Sequence, residues 1–229
     1  MKGLLLHPDC KWICLEGTIA AGKSTLLRVL EDDLGERYGP GMVLFIQEPV
    51  DDWVTSGHLA LAQERPYMVQ THFFQTRVES FLSALEALSR EQLSRVRYIV
   101  TERSMYSDFH VFWHLTCLNQ KVDAITRTTY QSLWKTWTRL LPFEKPDLFI
   151  YLTVDASTAQ ERMVKRHREC EQSTVDMKYQ TQLIERHDEL FMGETAFGVM
   201  CVQISSLMPY HDNKDARKDI TERIVNLFK

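Results

Sequence analysis

The stretch that decides the fold is Gly17-Thr18-Ile19-Ala20-Ala21-Gly22-Lys23-Ser24, followed by Thr25. It matches the phosphate-loop pattern G-x-x-x-x-G-K-[ST], in which the lysine reaches the β- and γ-phosphates and the hydroxyl ligates Mg²⁺. The glycines let the backbone wrap closely, so that several N–H groups point at phosphate oxygens. We predict that these nine residues bind ATP, with Lys23 in a catalytic role and Ser24 at the metal.

The sequence around the loop indicates a parallel sheet. A short apolar run precedes the loop and a helical stretch follows it, which is the context that the pattern requires. Short apolar runs near residues 12–15, 43–47, 98–101, 148–153 and 200–204 alternate with amphipathic stretches. We therefore predict an α/β P-loop kinase fold, a five-stranded parallel sheet flanked by helices, in one domain over residues 1–229.

Composition limits the partners and the compartment. The 229 residues include 27 Lys and Arg against 31 Asp and Glu, a net charge of −4, so we expect neither a nucleic-acid nor a membrane partner. Five cysteines without a C-x-x-C pair favour a reducing compartment. No signal segment or long apolar run is evident, and we expect a cytoplasmic protein.

Two acidic positions follow predicted strands. Glu48 comes after the second strand, and Glu102 with Arg103 closes the third. Ligands bind beyond the carboxyl ends of such strands. At that edge, Glu48 is a candidate general base and Glu102 a candidate metal ligand. Arg103 is a candidate catalytic residue that binds a hydroxyl or a phosphate. The alternatives are a surface glutamate before a turn, and an ion pair around a capped helix start.

Two further groups of residues suggest binding. Arginines that converge on a transferring phosphoryl group stabilise its charge. Taken alone, a basic helix end that complements the helix dipole is the better explanation of these residues. These residues are Arg162, Arg166 and Arg168, before Glu171. Planar side chains and one amide suggest a pocket for a base, with helix core as the alternative. They are Trp53, Phe74, Gln75 and Phe112.

Together these motifs resemble the deoxyribonucleoside kinase family, which includes deoxycytidine kinase, deoxyguanosine kinase and the insect multisubstrate enzyme. The resemblance spans residues 12–228 and rests on GTIAAGKST, EPV with Trp53, FFQT, ERSMYSD and the arginine-rich segment. It implies a homodimer that transfers the γ-phosphate of ATP, with Mg²⁺, to the 5′-hydroxyl of a deoxynucleoside.

The resemblance also implies roles for matching positions. Glu48 is then the general base and Arg103 holds the hydroxyl, with Glu102 near the metal. Gln75 pairs with the base and Phe112 stacks on it, while Trp53 and Phe74 line the pocket. The arginines of a lid at about residues 162–176 embrace the phosphates, and Glu171 contacts the sugar 3′-hydroxyl.

The chain departs from the family pattern at two places. Gln63 lies about where a tyrosine that helps to bind the 3′-hydroxyl belongs. Asp108 matches a substrate-binding aspartate of the deoxycytidine and deoxyguanosine enzymes, but Leu82 lies at about the place of its usual arginine partner, and Val78 resembles the insect enzyme. We expect broad use of deoxynucleosides, with deoxycytidine or thymidine among them.

Two other functions remain open at this point. A nucleoside monophosphate kinase such as thymidylate kinase shares the sheet, but a carboxylate at Glu48 repels a phosphate and suits a neutral hydroxyl. A nucleotide-dependent switch commonly carries a D-x-x-G segment directly after a strand. No D-x-x-G segment of this sequence follows a predicted strand.

Overall fold

The centre of the protein is a six-stranded sheet. A computed structural model describes residues 6–168, 171 and 174–228. The strands are β1 (Lys11–Glu16), β2 (Val43–Ile46), β3 (Tyr98–Glu102), β4 (Leu148–Thr153), β5 (Thr195–Ala196) and β6 (Val199–Ser205). Their order is β2-β3-β1-β4-β6-β5, and every neighbouring pair is parallel except β5 with β6. The predicted P-loop α/β fold is confirmed, with one short antiparallel strand added at the edge.

Helices cover both faces of this sheet. They are α1 (Lys23–Tyr38), α2 (Val50–Thr55), α3 (Pro66–Glu86), α4 (Arg90–Arg95), α5 (Met105–Ser107), α6 (His114–Asn119), α7 (Ala124–Leu140), α8 (Ala156–Lys165), α9 (Met177–Phe191) and α10 (Lys214–Asn226). A 3₁₀ turn spans Leu59–Leu61, and a π-helical turn spans Asp108–Trp113 between α5 and α6. Within the described ranges, no helix combines the length and apolar character needed to cross a membrane.

Side-chain alternation along β1 divides the core into layers. Successive residues of a strand point to opposite faces. Ile13 and Leu15 pack with α1 and α10, whereas Trp12 packs with α3 and α7. Cys14 faces a third cluster that includes residues of α9. The sheet is therefore buried on both sides, as its near-continuous apolar strands predict.

Strand order brings three loops together at one end of the sheet. The strands β2, β3 and β1 are neighbours, and all three are parallel. Their carboxyl ends therefore lie side by side, and they carry Glu48, Arg103 and Gly17. The candidate site is built at this edge.

Candidate active site

The phosphate loop joins β1 to α1 and depends on its glycines. Gly17 has a φ of 145°, Gly22 a φ of 99° and Ala20 a φ of 61°. A Cβ atom on Gly17 would lie 2.9 Å from the carbonyl oxygen of Leu152, which is too close for any other residue. Gly22 is the N-cap of the 16-residue helix α1 and supplies no capping side chain. The amides at this helix start are thus suited to an anion.

Lys23 lies inside this loop. Its Nζ donates hydrogen bonds to the carbonyl oxygens of Thr18 at 2.9 Å and Gly17 at 3.2 Å. Burial, with the nearby charge of Arg103, lowers the pKa of Lys23 to about 8. A triphosphate would supply the negative charge that this buried ammonium lacks.

Ser24 and Glu102 form a pair of oxygen donors beside the loop. The Ser24 hydroxyl donates a 2.8 Å hydrogen bond to Oε1 of Glu102, which ends β3. A hydroxyl and a carboxylate are hard oxygen ligands, and Mg²⁺ in kinases is held by one or two such groups together with substrate phosphates. This donor set fits the metal that the sequence predicts.

Glu48 is held between two arginines. Its Oε1 lies 2.9 Å from Nη2 of Arg77 and 3.2 Å from Nε of Arg103. Burial by itself raises the pKa of Glu48, but the positive charges of Arg103, Arg77 and Lys23 outweigh burial and lower the pKa to about 2. The carboxylate is ionised and fixed in direction at neutral pH.

Arg103 connects the acidic group to the phosphate loop. Its Nη1 donates to the carbonyl oxygen of Gly17 at 2.9 Å, and its guanidinium lies 4.6 Å from the centre of the Phe112 ring. Its φ is 70°, a left-handed conformation that costs a non-glycine residue about 1 kcal/mol or more. Such strain is concentrated at functional sites.

These groups face one cavity of about 710 Å³, a size suited to small-molecule ligands. The sequence-predicted residues that line it are Ile19, Ala20, Lys23, Ser24, Glu48, Trp53, Glu102, Arg103, Asp108, Phe112, Arg166, Arg168 and Glu171. Thr25 is exposed on the first turn of α1, one residue beyond Ser24. The structure therefore brings most of the predicted phosphate and acceptor residues together.

Two predicted pocket residues of α3, Phe74 and Gln75, are not among the residues that line the cavity. Gln75 is exposed and Phe74 is fully buried in the core. The cavity is lined instead by Gln70 and Phe73. At about 100° per residue, Gln70 lies only ~40° from Phe74 around the helix, whereas Gln75 lies ~100° away on the other side. The buried stripe of α3, whose spacing the sequence shows, is the signal that would have found Gln70.

The aromatic wall of the cavity is a stacked pair. The rings of Trp53 and Phe73 are 4.2 Å apart and nearly parallel at 28°. The indole Nε1 of Trp53 donates to Oγ1 of Thr76 on α3, which fixes its orientation. Trp53, Phe73 and Phe112 line the same cavity, which therefore offers aromatic surface suited to a planar group.

The prediction that Asp108 has no arginine partner is wrong. Arg77 donates from Nε to Oδ2 of Asp108 at 2.7 Å and from Nη2 to Oδ1 at 3.1 Å. Arg77 lies one residue before Val78, seven residues after Gln70, and shares the buried stripe of α3. Leu82, by contrast, packs against the core beside α7. The arginine partner thus lies five residues before the position that the family pattern indicated.

The lid residues are paired with each other. Arg166 donates to Oε2 of Glu171 from Nε at 2.8 Å and also from Nη2. Arg168 contacts Oε1 of Glu171 at 3.5 Å and Oδ1 of Asp51 at 3.3 Å. Parts of the predicted lid, residues 169–170 and 172–173, lie outside the described residues.

Arg162 does not converge with the other two lid arginines. Its Nη1 donates to the Ser206 hydroxyl at 2.9 Å and its Nη2 to the Ser206 carbonyl at 3.0 Å. The guanidinium lies beside Gly22, because Nη1 is 4.0 Å from the place of a Cβ atom there. Helix α8 ends at Lys165, so Arg166 lies just beyond the helix that carries Arg162.

Gln63 lies at the mouth of the cavity. Its Nε2 donates a 3.1 Å hydrogen bond to the carbonyl oxygen of Thr174, three residues after Glu171. Gln120, at the end of α6, donates to the carbonyl oxygen of Gln63 at 3.5 Å. Gln63, which replaces the tyrosine of the family pattern, thus connects the segment after the 3₁₀ turn to the predicted lid.

Comparison with known proteins gives a consistent result. A family model described as deoxynucleoside kinase matches residues 13–229. A Fowlpox virus (strain NVSL) protein named "Probable deoxycytidine kinase" is 29% identical over 226 residues, covering 95% of this chain and 88% of that protein. Deoxycytidine kinase 2 of Gallus gallus is 29% identical, with coverage of 77% and 72%. The mitochondrial thymidine kinase 2 of Homo sapiens is 28% identical, with coverage of 95% and 74%.

Proposed function

This chain belongs to the deoxynucleoside kinase family, and from that premise we propose that it transfers the γ-phosphate of ATP to the 5′-hydroxyl of a deoxynucleoside, giving the monophosphate. The observation that carries this proposal is the position of Glu48. Its carboxylate is held by Arg77 and Arg103 in a cavity shared with the phosphate loop. A fixed anion there suits a neutral hydroxyl acceptor.

In the proposed reaction, Glu48 accepts the proton of the 5′-hydroxyl as that oxygen attacks the γ-phosphorus. The bond from the γ-phosphorus to its bridging oxygen breaks, and its electron pair leaves with ADP. Lys23 and the amides of the phosphate loop stabilise the charge that spreads over the phosphate oxygens. When bound, Mg²⁺ neutralises charge on the phosphates, and Ser24 and Glu102 are the residues that would hold it.

A pKa of about 2 for Glu48 would make it a weak base in the free protein. We propose that ATP binding raises the pKa of Glu48 again. Phosphates that engage Lys23 and Arg103 offset two of the three charges that depress the pKa of Glu48. The carboxylate then gains proton affinity when ATP is bound.

For the nucleoside, we propose that Gln70 takes the role first assigned to Gln75. Its side-chain amide is buried at the cavity, where Nε2 lies 3.4 Å from the carbonyl oxygen of Asp108. An amide offers donors and an acceptor to a base edge. Phe112 is proposed to stack on the base, with Trp53 lining the pocket. Glu171 and Gln63, which also line the cavity, are proposed to recognise the sugar.

The pair of Arg77 and Asp108 is proposed to contact the far edge of the base. Nη1 of Arg77 is buried and has no hydrogen-bond partner among the described residues, so it remains a donor for a base acceptor. Asp108 is an acceptor for an exocyclic amine. This chemistry suits a base that carries both groups, as cytosine does, and deoxycytidine is the substrate we propose to test first.

We further propose a single catalytic domain over residues 1–229, with a lid at about residues 162–176 whose arginines exchange Glu171 for phosphate oxygens. A homodimer and a cytoplasmic location are also proposed. The free thiols of Cys10, Cys14, Cys117 and Cys201 are consistent with a reducing compartment.

A steady-state panel tests the proposed function. The protein is assayed with ATP and Mg²⁺ against deoxynucleosides and ribonucleosides, and kcat/KM is compared because that ratio defines specificity. We expect turnover with deoxynucleosides, led by deoxycytidine. ATP hydrolysis that no nucleoside accelerates would overturn the proposal and favour a nucleotide-dependent switch.

A further inference from the structure

His187 lies behind the catalytic arginine. It belongs to α9 and is completely buried. Its Nδ1 is 2.6 Å from the carbonyl oxygen of Leu183, and its Nε2 is 3.5 Å from Nη1 of Arg103. Nothing in the reaction described above uses this imidazole.

The contacts of the ring fix its tautomer. A carbonyl oxygen only accepts hydrogen bonds, so Nδ1 of His187 must carry the proton that is donated to Leu183. In a neutral imidazole the other nitrogen, Nε2, then has a free lone pair. That lone pair faces a guanidinium, which only donates, and the two groups are complementary as long as the ring is neutral.

Burial keeps the ring neutral. Desolvation, together with the nearby charge of Arg103, lowers the pKa of His187 well below its ordinary value. The ring is also parallel to Tyr151, at 2° and 6.0 Å. Its position is therefore set by packing as well as by hydrogen bonds.

The same helix touches the phosphate loop. Nε2 of Gln180 donates to the carbonyl oxygen of Ile19 at 2.8 Å. Helix α9 begins at Met177, directly after the lid segment, and its Tyr179 lines the cavity. Helix α9 thus contacts the loop through Gln180 and the catalytic arginine through His187.

Resting on the proposed function, we infer that His187 is a positioning residue for catalysis: its unprotonated Nε2 accepts from Nη1 of Arg103 and holds the guanidinium between Gly17 and Glu48. Arg103 makes its other contacts to the Gly17 carbonyl and the Glu48 carboxylate in the same orientation. Without the acceptor, the guanidinium loses one of the restraints that aim it at the 5′-oxygen.

Three substitutions test this role. His187→Gln keeps an acceptor at about the place of Nε2, His187→Asn places it near Nδ1 instead, and His187→Phe removes it. We expect kcat to fall about 10-fold in the Phe and Asn variants, the loss typical of one hydrogen bond to a charged group, with KM for ATP nearly unchanged. The Gln variant should recover to within about threefold of wild type.

A second background separates positioning from general packing. In Arg103→Lys, whose side chain has no Nη1, His187→Phe should lower kcat by less than about twofold further. An equal loss in both backgrounds, or a Gln variant as impaired as the Phe variant, would overturn the inference.

The tautomer can be measured without any activity. Long-range ¹⁵N–¹H NMR of the ligand-free wild type should show a protonated Nδ1 and an unprotonated Nε2 on His187 at neutral pH. The opposite tautomer or a charged ring would overturn the inference even if the substituted proteins fail to fold. Absence of nucleoside phosphorylation by the wild type would instead refute the proposed function and leave this result standing.

Discussion

Arg77 donates two hydrogen bonds to Asp108, from Nε to Oδ2 at 2.7 Å and from Nη2 to Oδ1 at 3.1 Å. The same Nη2 lies 2.9 Å from Glu48. One buried guanidinium therefore connects the floor of the acceptor cavity with the candidate base. Loss of either carboxylate leaves a buried charge only partly compensated.

Asp108→Asn should destabilise the protein. Removing one partner of a buried ion pair typically costs 3–5 kcal/mol, and we expect about 3 kcal/mol because Arg77 still contacts Glu48. The free energy of unfolding in urea measures the loss. Asp32→Asn is the matched control, since the contact of Asp32 with Arg217 is largely exposed and such pairs contribute less than about 1 kcal/mol. Equal losses in the two variants would refute the account of the buried pair.

Glu48→Gln should lower kcat by two or more orders of magnitude while the fold persists. The amide preserves the shape of the side chain but accepts no proton, and a general base contributes about 10²–10⁴. Steady-state kinetics with deoxycytidine give kcat, and circular dichroism checks the fold. Asp52→Asn is the control, because Asp52 is an exposed carboxylate of α2 outside the lining of the cavity. A near-normal kcat in Glu48→Gln would remove Glu48 from the role of base.

Glu48 should also give stability a defined pH dependence. Its pKa is lowered from 4.5 to about 2 on folding. The folded state then favours the ionised form, so this stabilisation is complete above about pH 4.5 and is lost as the pH falls toward 2. The difference in unfolding free energy between wild type and Glu48→Gln should be constant above about pH 5. Below about pH 5, the unfolding free energy of the wild type should fall relative to that of Glu48→Gln. Urea titrations at several pH values measure this difference, and a flat difference down to about pH 3 would contradict the lowered pKa.

Two glutamines on one helix test the register of α3. Gln70→Leu should raise KM for deoxycytidine about 10-fold, the effect expected when a buried hydrogen bond is lost. Gln75→Leu should leave KM within about twofold, because Gln75 is exposed. Steady-state kinetics of both variants under one set of conditions decide the matter. A larger effect at Gln75 would restore the assignment made from the sequence.

The sequence predicted the fold and the position of the phosphate loop between a strand and a helix, for a physical reason. The phosphate loop needs particular residue types at fixed spacing, and the strands beside it are buried runs that end at Glu48 and Glu102. The acceptor half depends on which face of α3 points inward. That face follows the apolar stripe of the helix, whereas the assignment from the sequence followed the FFQT motif and the family pattern. It therefore named Gln75 and Leu82, which lie five residues after Gln70 and Arg77. The placement of Arg162 likewise depends on where α8 ends, which the sequence does not mark sharply.

The most direct test of the central claim is to identify the product made from each class of acceptor. The protein is incubated with ATP, Mg²⁺ and either deoxycytidine or deoxycytidine monophosphate, and the nucleotides are separated by chromatography. The account predicts that deoxycytidine is converted to its 5′-monophosphate and that the monophosphate is not phosphorylated further. Formation of the diphosphate from the monophosphate, with no product from the nucleoside, would contradict it.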